Sequence, residues 1–130
     1  MTSVFSKIIQ GELPAYKINE DSGFLAFLDI NPVVEGHALV VPKQEIDYLF
    51  DLEDSVLSEM MLFAKKTAHA IEKAIDCKRV GVLVIGTEVP HAHIHLIPFN
   101  NESEVDIKNP KLTFSPNEFE AVAAKIRSYL

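Results

Sequence analysis

The order of its periodic segments restricts this chain's fold more than any other sequence feature. One amphipathic stretch, residues 55–75, has three strand-like runs before it and two after it, with no repeated strand–helix–strand alternation. That order argues against a doubly wound parallel sheet and for an α+β domain on a five-stranded antiparallel sheet. Val4–Ile9 reads as a short helix with an apolar face, ended by Gly11 and Pro14. Tyr16–Asn19 and Phe24–Leu28 flank Glu-Asp-Ser-Gly, a hairpin turn signal. Residues 29–36, with Pro32 and Gly36, form a loop, and His37–Val41 is a third strand stopped by Pro42. Val80–Ile85 is apolar without alternation, which predicts a strand covered on both faces, and His91–Ile97 is the fifth strand. Ser115-Pro116-Asn117-Glu118 has capping-box spacing with Pro at the first helical position, so a closing helix follows with Phe119, Val122, Ala123, Ile126 and Leu130 on one face.

The long helix has an unusually wide apolar side. At about 100° per residue, Val56, Leu57, Met60, Met61, Phe63, Ala64, Thr67, Ala68, Ile71, Ala74 and Ile75 cover about half its wheel, against roughly 100° for a helix packed on one surface. A subunit interface is the preferred explanation for the extra width. A deeper groove within one chain explains it equally well.

With 130 residues the chain is one domain, large enough to bury a core without disulfides or metal. No apolar run approaches the ~20 residues that span a bilayer, and MTSVFSKIIQGE is too short and polar for a secretory signal. Cys77 is the single cysteine, with no internal partner, so a cytoplasmic setting is expected. A net charge of −7 repels long polyanions, which makes nucleic acid an unsuitable partner. A small anion in a local pocket is still permitted.

Residues 91–95 read His-Ala-His-Ile-His. In a strand, alternation puts His91, His93 and His95 on one face, with neighbours about 6.5–7 Å apart. A lone histidine is most often structural, but three on one face are costly as filler, because each buried ring needs partners for both nitrogens. Two chemistries fit. In metal binding, His91 and His95 at about 13 Å are too far apart to share one ion, although His93, one neighbour and His37 converge more easily. In covalent catalysis, one imidazole attacks phosphorus while its neighbours donate hydrogen bonds to the phosphoryl oxygens. The central ring suits that role best. The second chemistry uses all three residues at their spacing and is preferred.

Here the chain resembles the histidine-triad family, whose signature His-φ-His-φ-His-φ-φ is matched by His91-Ala-His93-Ile-His95-Leu-Ile97. The resemblance extends through Phe5-Ser-Lys-Ile-Ile-Gln-Gly-Glu-Leu-Pro14, Leu25-Ala-Phe-Leu-Asp-Ile-Asn-Pro32 and Gly36-His-Ala-Leu-Val-Val-Pro-Lys43, over roughly residues 4–98. The nearest branch is the small Hint-like nucleotide-binding hydrolases; the nucleotidyltransferase branch typically ends its triad in Gln, where this chain has His95. The resemblance implies a histidine-triad domain at residues 1–100, with residues 101–130 as an extension whose helix packs on it. It implies a homodimer with the sheet continued between subunits, a purine nucleotide as substrate, and neither cofactor nor metal.

By resemblance, His93 is the nucleophile, oriented by the carbonyl of His91, and His95 and His37 complete the phosphate pocket. Asp29 takes the ribose hydroxyls, and Val4, Phe5, Ile8, Phe27, Leu28, Ile30 and Leu39 form the slot for the base. Thr87, Glu88 and Val89 belong to the approach loop beside the phosphate. Two departures stand out. Residues 85–90 are shorter than the family's usual loop, and Glu88 stands in place of a hydroxyl residue, which Thr87 supplies instead. Glu45 replaces a further histidine, at a position that reads as peripheral. The expected activity is hydrolysis of the α-phosphate bond of nucleoside phosphoramidates or dinucleoside polyphosphates. The alternatives are a nucleotide-binding module with vestigial catalysis and, behind it, a zinc-dependent hydrolase.

Overall fold

The computed structural model describes residues 2–130. Its elements run α1 (Val4–Ile9), β1 (Lys17–Glu20), β2 (Phe24–Leu28), β3 (Ala38–Pro42), α2 (Asp54–Ala74), β4 (Arg79–Leu83), β5 (Ile94–Phe99) and α3 (Pro116–Arg127). The strands form one antiparallel sheet in the order β1-β2-β3-β5-β4. The α+β architecture is therefore the expected one.

Strand alternation divides the sheet into two faces. Phe24, Ala26 and Leu28 of β2, Ala38 and Val40 of β3, and Ile94 and Leu96 of β5 point toward α2 and α3, where Met60, Phe63, Ile71, Phe119 and Ile126 close the main core. Leu25 and Phe27 of β2 and Leu39 and Val41 of β3 point the other way, onto Phe5 and Ile8 of α1. The capping box at Ser115 starts α3 as its spacing predicts: Ser115 Oγ accepts from the Glu118 amide at 3.1 Å, and Glu118 Oε1 accepts from the Ser115 amide at 2.8 Å. Phe119 stacks on Tyr16 at 4.9 Å, which holds α3 beside β1. Gly36 has φ +89°, and a Cβ there would stand 2.9 Å from the Ile75 side chain, so only glycine lets the chain turn into β3 against the end of α2.

Three expectations need correction. Val80–Ile85 is not covered on both faces: β4 ends at Leu83 and is an edge strand, with Val82 52% and Ile85 47% exposed. An unalternating apolar run marks two surfaces that need cover, and one chain covers only part of them. The fifth strand begins at Ile94 rather than His91, so His91 and His93 precede the ladder. Likewise His37 sits one residue before β3. On α2, Met60, Phe63, Ala64, Thr67, Ile71 and Ala74 are buried, whereas Met61 is 47% exposed. The extra width of its apolar side is thus real and partly uncovered.

Candidate active site

Between α1, the β2–β3 face and residues 85–89 lies a cavity of about 340 Å³. Phe5, Ile8, Phe27 and Leu39 form its buried apolar floor, with Val89 partly buried against them. Val4 and Ile30 line it from more exposed positions, at 43% and 64%. Leu28 touches the wall, but alternation packs its side chain into the main core on the far side of the sheet. Asp29, Thr87, Glu88, His93 and His95 complete the set expected from the sequence. His37 and His91 do not line the cavity; each stands one hydrogen bond behind a residue that does.

Main-chain groups fix the proton on three of the four rings, and one of these, His37, fixes it on the fourth, His95. His93 Nδ1 is 2.8 Å from the carbonyl of His91, which can only accept, so Nδ1 carries the proton and Nε2 keeps its lone pair. His37 Nδ1 accepts from the amide of Val33 at 3.1 Å, which puts the proton of neutral His37 on Nε2. That Nε2–H donates to His95 Nδ1 at 2.9 Å and leaves His95 with a proton on Nε2. His91 Nε2 donates to the carbonyl of Pro42 at 2.8 Å, so its Nδ1 accepts from Ser3 Oγ at 2.7 Å. His93 therefore offers a lone pair while its neighbour His95, with ring centroids 5.1 Å apart, offers a proton. Phe5 sets its ring edge-to-face against His93 at 5.1 Å and His91 at 5.8 Å.

Burial favours the neutral form of His37, His91 and His95. It lowers His37 to about 3 and His95 to about 4, with the neighbouring histidines adding to both shifts. It also lowers His91, against the opposing hydrogen bond to Pro42. Burial raises Asp29, although the amide of Asn31, donating to Oδ1 at 2.8 Å, favours the carboxylate.

Asp29, His37 and His95 bring three potential metal ligands within 4.8 Å of one another. The hydrogen bonds oppose that use. A metal-bound histidine normally donates its other ring N–H outward, whereas His37 Nδ1 accepts a main-chain N–H and its Nε2 must carry the proton. A cation would have to displace that proton.

Sequence reasoning passed over several contributors, two of them from a distant segment. Ile107 and Lys111, from the segment between β5 and α3, also line the cavity. Lys111 Nζ donates to the carbonyls of Ile107 and of Asn109, and its charge is felt at Asp29, His37 and His95. No periodicity or motif around Lys111 signals this. Glu45, which reads as peripheral, accepts at one oxygen from Ser3 N at 2.7 Å and Ser6 Oγ at 2.6 Å.

Comparisons with known proteins show which family shares this sequence and fold. The HIT domain profile matches residues 10–102. The adenosine 5′-monophosphoramidase hnt1 of Schizosaccharomyces pombe is 34% identical over 134 residues, 98% of each chain. A Hit-like protein of Bartonella henselae superposes with a TM-score of 0.85 at 29% identity, over 98% of this chain and 96% of that one. A zinc-bound histidine-triad protein of Mycobacterium smegmatis gives 0.81 at 26% identity, over 97% and 91%. The histidine triad leading into β5, the fourth histidine behind it and the apolar slot thus sit in a chain that belongs to the HIT, or histidine-triad, family.

Proposed function

We propose that the protein is a cytoplasmic histidine-triad hydrolase that cleaves the α-phosphate bond of nucleoside phosphoramidates or dinucleoside polyphosphates. The observation that carries this reading is the pairing of opposite tautomers, a bare Nε2 on His93 beside a protonated Nε2 on His95. His93 Nε2 attacks the α-phosphorus as the bond from phosphorus to the leaving nitrogen or oxygen breaks. The electron pair goes to the leaving group, which takes up a proton from solvent water; the hydrolytic water of the second step gives one back. Water then attacks the nucleotidyl-histidine, releases the nucleoside monophosphate and restores the ring. His95 Nε2–H donates to the phosphoryl oxygen as charge grows, and His37 holds it in that tautomer. Asp29 accepts from the ribose hydroxyls, and the floor of Phe5, Ile8, Phe27 and Leu39 receives the base, a purine by preference. No metal takes part in these steps.

The active species is a homodimer. Val82 on the β4 edge, Val84 and Ile85 just beyond it, and Met61 of α2 leave exposed apolar surface that a second copy would cover by continuing the sheet.

Mass spectrometry of protein quenched during turnover of an adenosine phosphoramidate tests the reading. An adenylyl adduct on His93 is the expected result. Saturable binding with neither adduct nor turnover would instead make the protein a nucleotide-binding module, and turnover abolished by chelators would favour metal chemistry.

A further inference from the structure

The stretch carrying the proposed nucleophile lies outside the sheet ladder. β5 begins at Ile94, so no strand pairing aims the carbonyl of His91 at His93 Nδ1. Its anchors come instead from the turn that leaves β3, residues 42–46. Pro42 O accepts from His91 Nε2 at 2.8 Å, and Ile46 O accepts from Ala92 N at 2.7 Å. The other side of the His91 ring is held by Ser3 Oγ at 2.7 Å. Ser3 also caps α1, because the same Oγ accepts from Ser6 N at 3.0 Å. Glu45, in the same turn, binds both serines through Oε1, at 2.7 Å to Ser3 N and 2.6 Å to Ser6 Oγ.

We infer that Glu45 is a positioning residue, which acts through Ser3, Ser6 and His91 to hold the His93 ring in one tautomer and α1 against it. The inference rests on the proposed role of His93 and adds the device that orients it. Three segments meet at Glu45: the start of α1, the exit of β3 and the approach to β5. Moving α1 would shift Phe5, whose ring packs on both His91 and His93. A loose Ser3 would free His91 Nδ1, and with it the ring whose main-chain carbonyl fixes His93. Glu45 does not line the cavity. Hydrogen bonds from Ser6 and Ser3 hold its carboxyl down at about 2, so the anion persists throughout the neutral range.

The test combines histidine-ring 15N NMR with kinetics on the full chain. In the wild type, His93 should show a single Nδ1–H tautomer. In Glu45→Ala the His93 signals should move toward an average of the two tautomers, and kcat should fall about tenfold, since small misplacements of a reacting group are costly. Glu45→Gln keeps an oxygen acceptor for both serines and should restore the single tautomer and kcat to within about twofold. Ser3→Ala should resemble Glu45→Ala, and the double variant should be little worse than either, because the two residues act in one chain. Ser6→Ala, which removes one donor to Glu45 and keeps the cap, substitutes if Glu45→Ala fails to fold, with a smaller shift in the same direction expected. An unchanged His93 tautomer and kcat in these variants, or effects that multiply in the double variant, would overturn the inference. The NMR readout needs no turnover. A wild type that hydrolyses no nucleotide derivative would therefore refute the proposed function while leaving the positioning network open to the same test.

Discussion

On one face of the sheet, α2 and α3 bury a continuous apolar layer that includes Met60, Ile71 and Ile126, each 0% exposed. On the other face, α1 closes only a small cluster around Phe5 and Phe27, and beside it the rings of His37, His91 and His93 are tied to main-chain groups and that of His95 to His37. The first face is held by area and shape, which are non-directional. The second is held by hydrogen bonds, where each proton has one position. Damage to the first should appear in stability, and damage to the second in chemistry.

The largest effect expected from breaking that division comes from His93→Ala. Turnover should be lost while nucleotide binding stays within a fewfold of wild type and the melting temperature barely moves. Steady-state kinetics, a binding titration and a thermal melt check this together. A wild-type kcat would show that the nucleophile is another group. Met60→Ala is the mirror experiment. Met60 is fully buried in the layer under α2, so its truncation should cost about 2–5 kcal/mol in denaturant unfolding. The kcat of the folded fraction should be unchanged. A large fall in kcat without loss of stability would mean that the two faces are coupled.

Acid should separate the faces again. His37 and His95 are held at about 3 and about 4, below the ordinary value near 6.5. Between about pH 4 and 6.5 the unfolded chain therefore binds protons that the folded chain refuses, so stability rises with pH across this window and is lost as pH falls through it. The two rings are close neighbours, and together they cost at most on the order of 5 kcal/mol of stability by pH 4.5. Denaturant unfolding at pH 7 and pH 4.5 measures it. His95→Gln should flatten the slope, whereas Met60→Ala should lower the whole curve and leave its slope alone.

The same division explains what was legible beforehand. α2 and α3 announce themselves through apolar period and the Ser115–Glu118 capping box, because local signals decide them. The cavity residues followed from resemblance and not from pattern: Phe5, Phe27 and Leu39 look like ordinary core in sequence. The spacing of His91, His93 and His95 suggested three rings on one face of a strand, with His93 at the centre. Only His95 is in β5, and His91 turns toward Ser3 and Pro42, since strand pairing depends on partners that a single segment does not encode. Lys111 and Glu45 were invisible as site residues for the same reason, as each matters through a contact with a distant segment. The covered strand expected at Val80–Ile85 is an edge because apolar composition records a need for cover without naming the chain that supplies it.

The smallest effects should come from the rim of the cavity, where neither packing nor the main chain fixes the outcome. Lys111 and Glu88 bring opposite charges to that rim, and both are exposed. Exposed charge interactions are worth about 0.2–1 kcal/mol, which corresponds to at most about fivefold in rate. Lys111 acts on the side of Asp29, His37 and His95, so it should favour an anionic leaving group such as a polyphosphate. Lys111→Ala should lower kcat/KM for a dinucleoside polyphosphate about twofold to fivefold and leave an uncharged amine leaving group nearly unaffected. Glu88→Ser should shift the ratio the other way, raising the polyphosphate relative to a cationic amine. A leaving-group panel at constant adenosine, run at low and high salt, measures both. Salt should shrink the two effects together, because screening weakens exposed charges and leaves the buried histidine pair largely untouched.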